Sequence, residues 1–271
     1  MMCPNFWRYK DAFPDLQSEM FSFPHICAIL LAVAVTLVCA FSMRTVPKEK
    51  IKRLLRVLSI VVLLMEIFFF LWDFINGKRY LGAPDYATIL PVYTCSLINY
   101  TLLGAAWGKG FVERCSLDYL GTIGLIAGAS GILLVNGLRS YPFWTLGALY
   151  SFTYHFLMFF VGCILLATGY YQPKWSDVFY AFVPISFLAV IAIPVDYIFQ
   201  ADYMLLYEGK GAPVLPLIAQ ALGKINLRGL YTVIALLIYL PVTALMIAID
   251  KVLVLFFQGF KADRCPHPQN R

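Results

Sequence analysis

The sequence predicts an all-α fold, a polytopic transmembrane helical bundle with about seven spans. Of its 271 residues, 61% are hydrophobic and 13% are charged, whereas soluble domains carry about 25% charged residues. A helix that crosses the hydrocarbon core of a bilayer needs roughly 20 apolar residues. Segments such as 26–43 are apolar on every face, unlike the alternating strands of a membrane barrel, so the spans are expected to be helices.

Seven apolar segments follow one another with little sequence between them. The predicted spans are residues 26–43, 54–75, 87–107, 119–138, 144–168, 177–199 and 229–257. They make one transmembrane domain, 26–257, preceded by an extramembrane N-terminal segment, 1–25, and followed by a tail, 258–271. The N-terminal segment is polar and resembles no cleavable signal, so the first helix is expected to direct insertion.

Basic residues are unevenly divided between the two sides of the predicted bundle. One side, which includes the loop 44–53 and the C-terminus, holds 13 of the 21 Lys and Arg residues. The positive-inside rule therefore predicts a cytosolic C-terminus and tail, with the N-terminus outside or in a lumen. The sequence predicts a multi-pass integral membrane protein, and it does not distinguish the plasma membrane from the endoplasmic reticulum.

The longest connection, 200–227, lies between the last two predicted spans. Its middle, 212–222, is too apolar for a solvated linker and too short to cross a bilayer. We expect either a lid that dips into the membrane interface or a surface helix.

Several partner and cofactor classes are not expected. The net charge of +6 is explained by residues that flank the spans, so no nucleic acid partner is predicted. The three histidines lie in separate regions and no glycine-rich phosphate loop occurs, so neither a metal nor another cofactor is expected. Membrane lipids are expected as the solvent and as a substrate, while the oligomeric state stays open.

A few polar side chains fall inside the predicted spans. Ionisable groups in hydrocarbon are costly and are candidates for function. These residues are Glu66, Asp73, Cys95, Asn99, His155 and Asp196. Counted at 1.5 Å per residue, Glu66, Cys95 and His155 are expected in one layer of the non-cytosolic half of the membrane. Asp73 and Asp196 lie nearer the surface, where solvation is expected.

Three stretches resemble motifs of the YwaF-like family of integral membrane proteins. Residues 90–97, Leu-Pro-Val-Tyr-Thr-Cys-Ser-Leu, are similar to its Leu-Pro-Leu-His-Leu-Cys motif. Residues 152–157, Phe-Thr-Tyr-His-Phe-Leu, are similar to its aromatic histidine segment, and residues 201–206, Ala-Asp-Tyr-Met-Leu-Leu, to its Asn-Tyr-Met motif. Tyr93 stands where the family has a histidine, and Asp202 where it has an asparagine.

The resemblance implies a membrane enzyme that acts on lipid esters. The family is similar to a eukaryotic transmembrane acyltransferase that remodels ether phospholipids and, more distantly, to membrane hydrolases of fatty acid esters of hydroxy fatty acids. It implies a cysteine nucleophile and a histidine, which correspond to Cys95 and His155. Because a thiol attacks an ester as the thiolate, a base beside Cys95 is chemically necessary, and His155 is the one histidine inside a predicted span.

Supporting roles follow from the predicted depth. Glu66 or Asp73 would orient the imidazole, as the acid of a catalytic triad does, and Asn99 or backbone freed near Pro91 would donate to the oxyanion. The residues assigned to substrate binding are Asn99, Tyr93, Asp196, Asp202 and Tyr203.

The predicted function is thus a lipid acyltransferase or lipid ester hydrolase that forms an acyl-cysteine. Two alternatives remain at this stage. The first is a transporter or receptor in which Glu66, His155 and Asp73 form a proton or ligand relay. The second is a structural protein whose polar side chains only join helices.

Overall fold

The structure, a computed structural model, describes residues 6, 7, 9, 21–134, 143–210, 212 and 214–262, with side chains up to Phe257. Most of the predicted N-terminal segment and residues 263–271 of the predicted tail lie outside the described residues. The helices in chain order are α1 (Phe23–Met43), α2 (Lys48–Leu81), α3 (Leu97–Trp107), α4 (Phe111–Gly121), α5 (Ile123–Leu134), α6 (Leu146–Ala167), α7 (Asp177–Phe199), α8 (Leu215–Lys224), α9 (Arg228–Leu237) and α10 (Tyr239–Ala262). A short 3-10 helix, Tyr203–Leu205, follows α7.

Six helical segments of this described chain are long and apolar enough to cross a membrane. They are α1, α2, the pair α4–α5 as Phe111–Leu134, α6, α7 and the pair α9–α10 as Arg228–Phe257. Each coincides with a predicted span to within a few residues at most ends, and α2 is longer because its polar ends extend the helix beyond the apolar stretch. The prediction of an all-α, multi-pass membrane protein is confirmed.

The predicted third span, 87–107, differs from the expectation. Only its second half is helical, as α3, and residues 82–96 form turns. The 11 residues of α3 extend over about 16 Å, roughly half of the hydrocarbon core. Pro91 explains part of the difference, because proline has no N–H to donate and clashes with the preceding helical turn.

The short helix α3 runs antiparallel to α2 and begins beside its middle. Near the start of α3, the Asn99 side chain contacts Glu66, 3.0 Å between Nδ2 and Oε2. At its end, the Ala106 carbonyl accepts a hydrogen bond of 3.3 Å from Arg56. The turns 82–96 and α3 therefore follow α2 back along its length, so that the interruption of the third crossing lies beside the middle of a spanning helix.

Glycine residues on α5 allow it to pack closely on α6. A Cβ atom added at Gly128 would overlap the backbone of α6 at His155 and Phe159, and one added at Gly131 would overlap the His155 ring. Small residues at such positions let helix backbones approach in a membrane, where dispersion contacts replace the hydrophobic effect. Packing against α5 therefore fixes the position of α6, the helix on which residues 150–155 lie.

The connection between α7 and α9 contains α8, which has no fully buried residue. One side of α8, with Leu215, Ile218, Ala219 and Leu222, packs against the core, while Val214 and Leu217 are exposed. The long connection therefore contains a helix, and its role as a lid stays a prediction.

We expect Gly128→Val to destabilise the bundle by about 1–3 kcal/mol, because a side chain at this position is forced into the backbone of α6. Thermal unfolding in detergent measures the effect. Gly229→Val is the matched control, since a Cβ at Gly229 meets no atom within 4 Å. A similar melting temperature for both variants would contradict the close α5–α6 approach.

Candidate functional site

Cys95 lies at the interruption of the third crossing, two residues before α3 begins. The carbonyl of Cys95 accepts a hydrogen bond from the N–H of Ile98 at 3.1 Å, so this residue already belongs to the first turn. Irregular backbone at membrane depth occurs where protein surrounds it or where it lines a cavity. The amino end of a half-helix also carries a partial positive charge. Both features are typical of binding or catalytic sites in membrane proteins.

Tyrosine hydroxyl groups satisfy the polar backbone of the turns before α3. The Tyr119 hydroxyl donates to the carbonyl of Thr94 at 2.5 Å. The Tyr239 hydroxyl lies 2.5 Å from the side-chain oxygen of Thr94, and the Tyr100 hydroxyl donates to the Pro91 carbonyl at 3.2 Å. Side chains from α3, α4 and α10 thus replace the hydrogen bonds that a continuous helix would have made.

Tyr203 joins two of the sequence motifs. Its hydroxyl accepts from the N–H of Leu90 at 3.0 Å and donates to the carbonyl of Tyr86 at 2.9 Å. The Tyr203 ring also packs against Tyr93, with ring centres 4.5 Å apart. Burial raises the pKa of Tyr203, so its hydroxyl stays protonated and can donate. The motif 201–206 is therefore a fixed partner of the motif 90–97.

Asp196 and Asp202 organise the backbone around Tyr203. Asp196 accepts from the N–H of Tyr203 at 2.7 Å. Asp202 accepts from four successive N–H groups, those of residues 207 to 210, at 2.5 to 3.1 Å. Both carboxyl groups thus have structural partners, and a role in substrate binding stays a prediction.

The side chains of Asn99, Tyr150 and Tyr154 converge on the carboxylate of Glu66. Tyr150 donates to Glu66 Oε2 at 2.7 Å, and Asn99 donates to the same oxygen at 3.0 Å. The Tyr154 hydroxyl lies close enough to Glu66 for an electrostatic interaction, and it accepts a hydrogen bond from Asn99 at 2.7 Å. A carboxylate is the group that can accept from several donors at once. Helices α2, α3 and α6 are thereby joined around one half-buried acid.

The thiol of Cys95 lies beside this cluster. The Glu66 carboxylate lies near enough to act electrostatically on the Cys95 thiol, and the backbone of Cys95 and Ser96 and the Ser96 side chain lie beside the sulphur. Tyr119 and Tyr239 are close enough for an electrostatic interaction with the same thiol. The structure brings Cys95, Glu66 and Asn99 together, whereas the predicted depths grouped Cys95 and Glu66 with His155.

His155 occupies a different face of α6. Its Nδ1–H donates to the carbonyl of Ser151 at 2.7 Å, and its ring lies over Gly131 of α5. The centre of the His155 ring lies 6.2 Å from that of Tyr154. The Tyr154 hydroxyl, unlike the imidazole, belongs to the cluster around Glu66 and Asn99. None of the contacts found among the described residues joins the imidazole to the thiol.

Asp73 and Asp196 are more deeply buried than expected. Both residues are expected to lie near the membrane surface, where water would solvate them. In the structure, Asp73 is 7% exposed and Asp196 is fully buried. The expectation of solvation is wrong for both, and for Asp196 the reason is that residues 200–206 fold back over the end of α7, so that the N–H of Tyr203 bonds to its carboxyl group.

Four tyrosines of the site were missed by sequence reasoning, which assigned the aromatic residues mainly to lipid contact. They are Tyr119, Tyr150, Tyr154 and Tyr239, and the more exposed Tyr100 makes a fifth. A signal was present for two of them. Tyr150 and Tyr154 are four residues apart in one predicted span, so they share a helix face, and a buried tyrosine hydroxyl needs a polar partner.

The TMEM164 family model matches residues 20–249, which is most of the chain. The chain belongs to the TMEM164 family. The comparison with curated proteins gives no match. The comparison with solved structures gives none either. For this TMEM164-family chain, membership supports a transmembrane protein, and the match contains both Cys95 and the tyrosine-held turns.

We expect Tyr203→Phe to cost about 1–3 kcal/mol, because the buried N–H of Leu90 and the carbonyl of Tyr86 both lose their partner. Hydrogen exchange should rise selectively in residues 86–94, and the melting temperature in detergent should fall. Tyr207→Phe is the control, since its hydroxyl meets the exposed Arg228. Unchanged exchange in residues 86–94 would show that Tyr203 does not hold the turns.

Proposed function

We propose that this protein is a membrane-embedded lipid acyltransferase or lipid ester hydrolase that uses Cys95 as its nucleophile. The observation that carries the proposal is a cysteine at the beginning of the half-length helix α3, beside a carboxylate that hydrogen bonds from Asn99 and Tyr150 hold in place. The sequence resemblance to a transmembrane phospholipid acyltransferase supports the same chemistry. The apolar surface of the surrounding helices makes a lipid the natural substrate.

The first half of the reaction would form an acyl-cysteine. The Cys95 sulphur attacks the carbonyl carbon of an ester, and Glu66 accepts the thiol proton as the S–C bond forms. The ester C–O bond then breaks, and the leaving oxygen takes that proton from Glu66. Transfer of the proton during attack avoids two adjacent negative charges, which a low-dielectric site would penalise strongly.

The beginning of α3 is suited to stabilise the negative charge on the carbonyl oxygen. The N–H groups of Cys95 and Ser96 lie beside the sulphur, close to where the carbonyl of a bound ester would lie. Backbone donors at the start of a helix act in this way in many acyl-transferring enzymes. This replaces the predicted role of Asn99 as a donor, since both of its N–H groups have other partners.

The sequence resemblance and the geometry favour different residues as the base that accepts the Cys95 proton. The resemblance favours His155, whereas the contacts of Cys95 favour Glu66. With Nδ1 protonated, the free nitrogen of His155 is Nε2, and the ring that carries it lies against Gly131. His155 would act as the base only after its ring leaves this position. We therefore assign the base to Glu66 and a packing role to His155.

We infer that the connection 200–227 covers the site from the side where α2 ends. Tyr203 contacts the turns before α3, and Tyr239 donates to the Met204 carbonyl at 3.2 Å. Tyr93 and Tyr203 would form the wall of the substrate site. By the count of basic residues, this cover lies on the non-cytosolic side.

Cys95→Ala is expected to lower acyl transfer or ester hydrolysis on the order of 10³-fold or more, because no acyl-enzyme can form. Purified protein is incubated with mixed phospholipids, and the products are measured by mass spectrometry. Cys163→Ala, which removes a buried thiol on α6, is the matched control and should retain activity. Equal activity in the two variants would rule out the proposed nucleophile.

Glu66→Gln is expected to lower the rate of Cys95 acylation by roughly 10²-fold, since the amide cannot accept the thiol proton. His155→Ala should reduce the melting temperature and leave the acylation rate of the folded fraction within a few-fold of the original. Acylation of Cys95 is followed by intact-protein mass spectrometry. The opposite pattern would assign the base to His155, as the resemblance implies.

The interrupted third crossing also supports the transporter alternative, because discontinuous helices form the substrate sites of many transporters. A transporter with Glu66 in its relay should show substrate flux into proteoliposomes that is lost in Glu66→Gln and kept in Cys95→Ala. An acyltransferase or hydrolase should show no such flux and should lose its activity in Cys95→Ala.

A further inference from the structure

The side-chain amide of Asn99 is buried, and its nitrogen has hydrogen-bond partners while its oxygen has none among the described residues. Asn99 is 3% exposed, and its Nδ2 group donates to Glu66 at 3.0 Å and to the Tyr154 hydroxyl at 2.7 Å. Both amide hydrogens are thereby used. The amide oxygen Oδ1 is buried and has no hydrogen-bond partner among the residues that the structure describes.

The orientation of this amide is determined by its neighbours. Turning it over would bring Oδ1 against the Glu66 carboxylate, where two acceptors would face each other without a proton between them. The observed orientation is the one that satisfies Glu66. The unpaired group of Asn99 is consequently an acceptor, and its missing partner must be a donor.

A buried carbonyl oxygen without a donor costs about 1–3 kcal/mol, so such a group needs an explanation. Asn99 follows Cys95 by one helical turn and is bonded directly to Glu66. A donor at Oδ1 would therefore lie close to the nucleophile and to the group proposed to accept protons. This is the position that the second substrate of an acyl transfer must occupy.

We propose that Oδ1 of Asn99 accepts a hydrogen bond from the hydroxyl group of the acyl acceptor. This inference rests on the proposed function. In the second half of the reaction, the acceptor oxygen attacks the thioester carbon and its proton passes to Glu66. The C–S bond then breaks, and the departing thiolate of Cys95 takes the proton from Glu66, which restores the enzyme. Asn99 would position the hydroxyl for this attack.

The same hydrogen bond can come from two sources of hydroxyl. A lipid alcohol, such as a monoacyl glycerophospholipid, would make the protein a transferase, and water would make it a hydrolase. Both are O–H donors, and both would explain the unpaired oxygen. Their difference in size and in product distinguishes them experimentally.

The first test measures lipid binding to the Cys95→Ala protein, which cannot react. Native mass spectrometry compares a monoacyl glycerophospholipid that has a free hydroxyl with its deoxy analogue. About a tenfold preference for the hydroxyl-bearing lipid is expected, since one hydrogen bond to a buried acceptor is lost in the analogue. This comparison needs no change at position 99. In Cys95→Ala with Asn99→Leu, the preference should disappear.

Asn76→Leu is the matched control for the loss of a half-buried amide. Asn76 donates to the carbonyl of Trp72 at 2.7 Å on α2, and its replacement should leave the preference unchanged. A preference that persists in Asn99→Leu would overturn the assignment to Oδ1.

The second test distinguishes water from a lipid alcohol in the protein with Cys95 intact. If the two lipids bind equally, but Asn99→Leu acylates Cys95 and releases fatty acid at least tenfold more slowly, Oδ1 holds water. Equal binding together with unchanged release of fatty acid would overturn the inference. If Cys95 of the unaltered protein forms no acyl-enzyme with any ester, the proposed function itself fails, which is a distinct result.

Discussion

A backbone N–H or C=O group in hydrocarbon has no water to bond, so each must find a partner within the protein. In this chain, the predicted third span is helical only in α3, and residues 82–96 before it form turns. The hydroxyl groups of Tyr119 and Tyr203 are among the partners that those turns use. The positions of α4, α7 and residues 200–206 after α7 are constrained, because they must bring these hydroxyls to the turns before α3.

The turns before α3 also leave polar groups available for binding or reaction, whereas a continuous helix would contribute only packing contacts there. They expose N–H groups at the start of α3 beside Cys95, and they bring Asn99 to the level of Glu66. Glu66 then joins α2, α3 and α6 through its hydrogen bonds to Asn99 and to Tyr150 of α6. The polar centre of the bundle therefore stabilises the helix packing and supplies the groups that the proposed acyl transfer requires.

Close packing of α5 on α6 determines which side chains of α6 reach that centre. Because Gly128 and Gly131 let the two backbones approach, the imidazole of His155 lies over α5. The adjacent residue, Tyr154, turns toward Glu66. The side chains of neighbouring residues on a helix point about 100° apart. When the face of α6 with His155 packs on α5, Tyr154 therefore turns toward the site. The segment 152–157 contributes to both the site and the interface with α5.

The sequence by itself determined the fold class, the positions of the six long crossing segments and the short list of buried polar residues. These follow from local properties, since hydrocarbon thickness sets the length of an apolar run and the cost of burying charge limits where Glu66 can face. Only the tertiary structure decided that α3 is half the length of a crossing, that tyrosine hydroxyls support the turns before it, and that Glu66 acts on Cys95 while His155 faces α5. These outcomes depend on which faces of distant helices meet. That choice is made by shape and hydrogen bonding among residues far apart in the chain, and no local pattern encodes it.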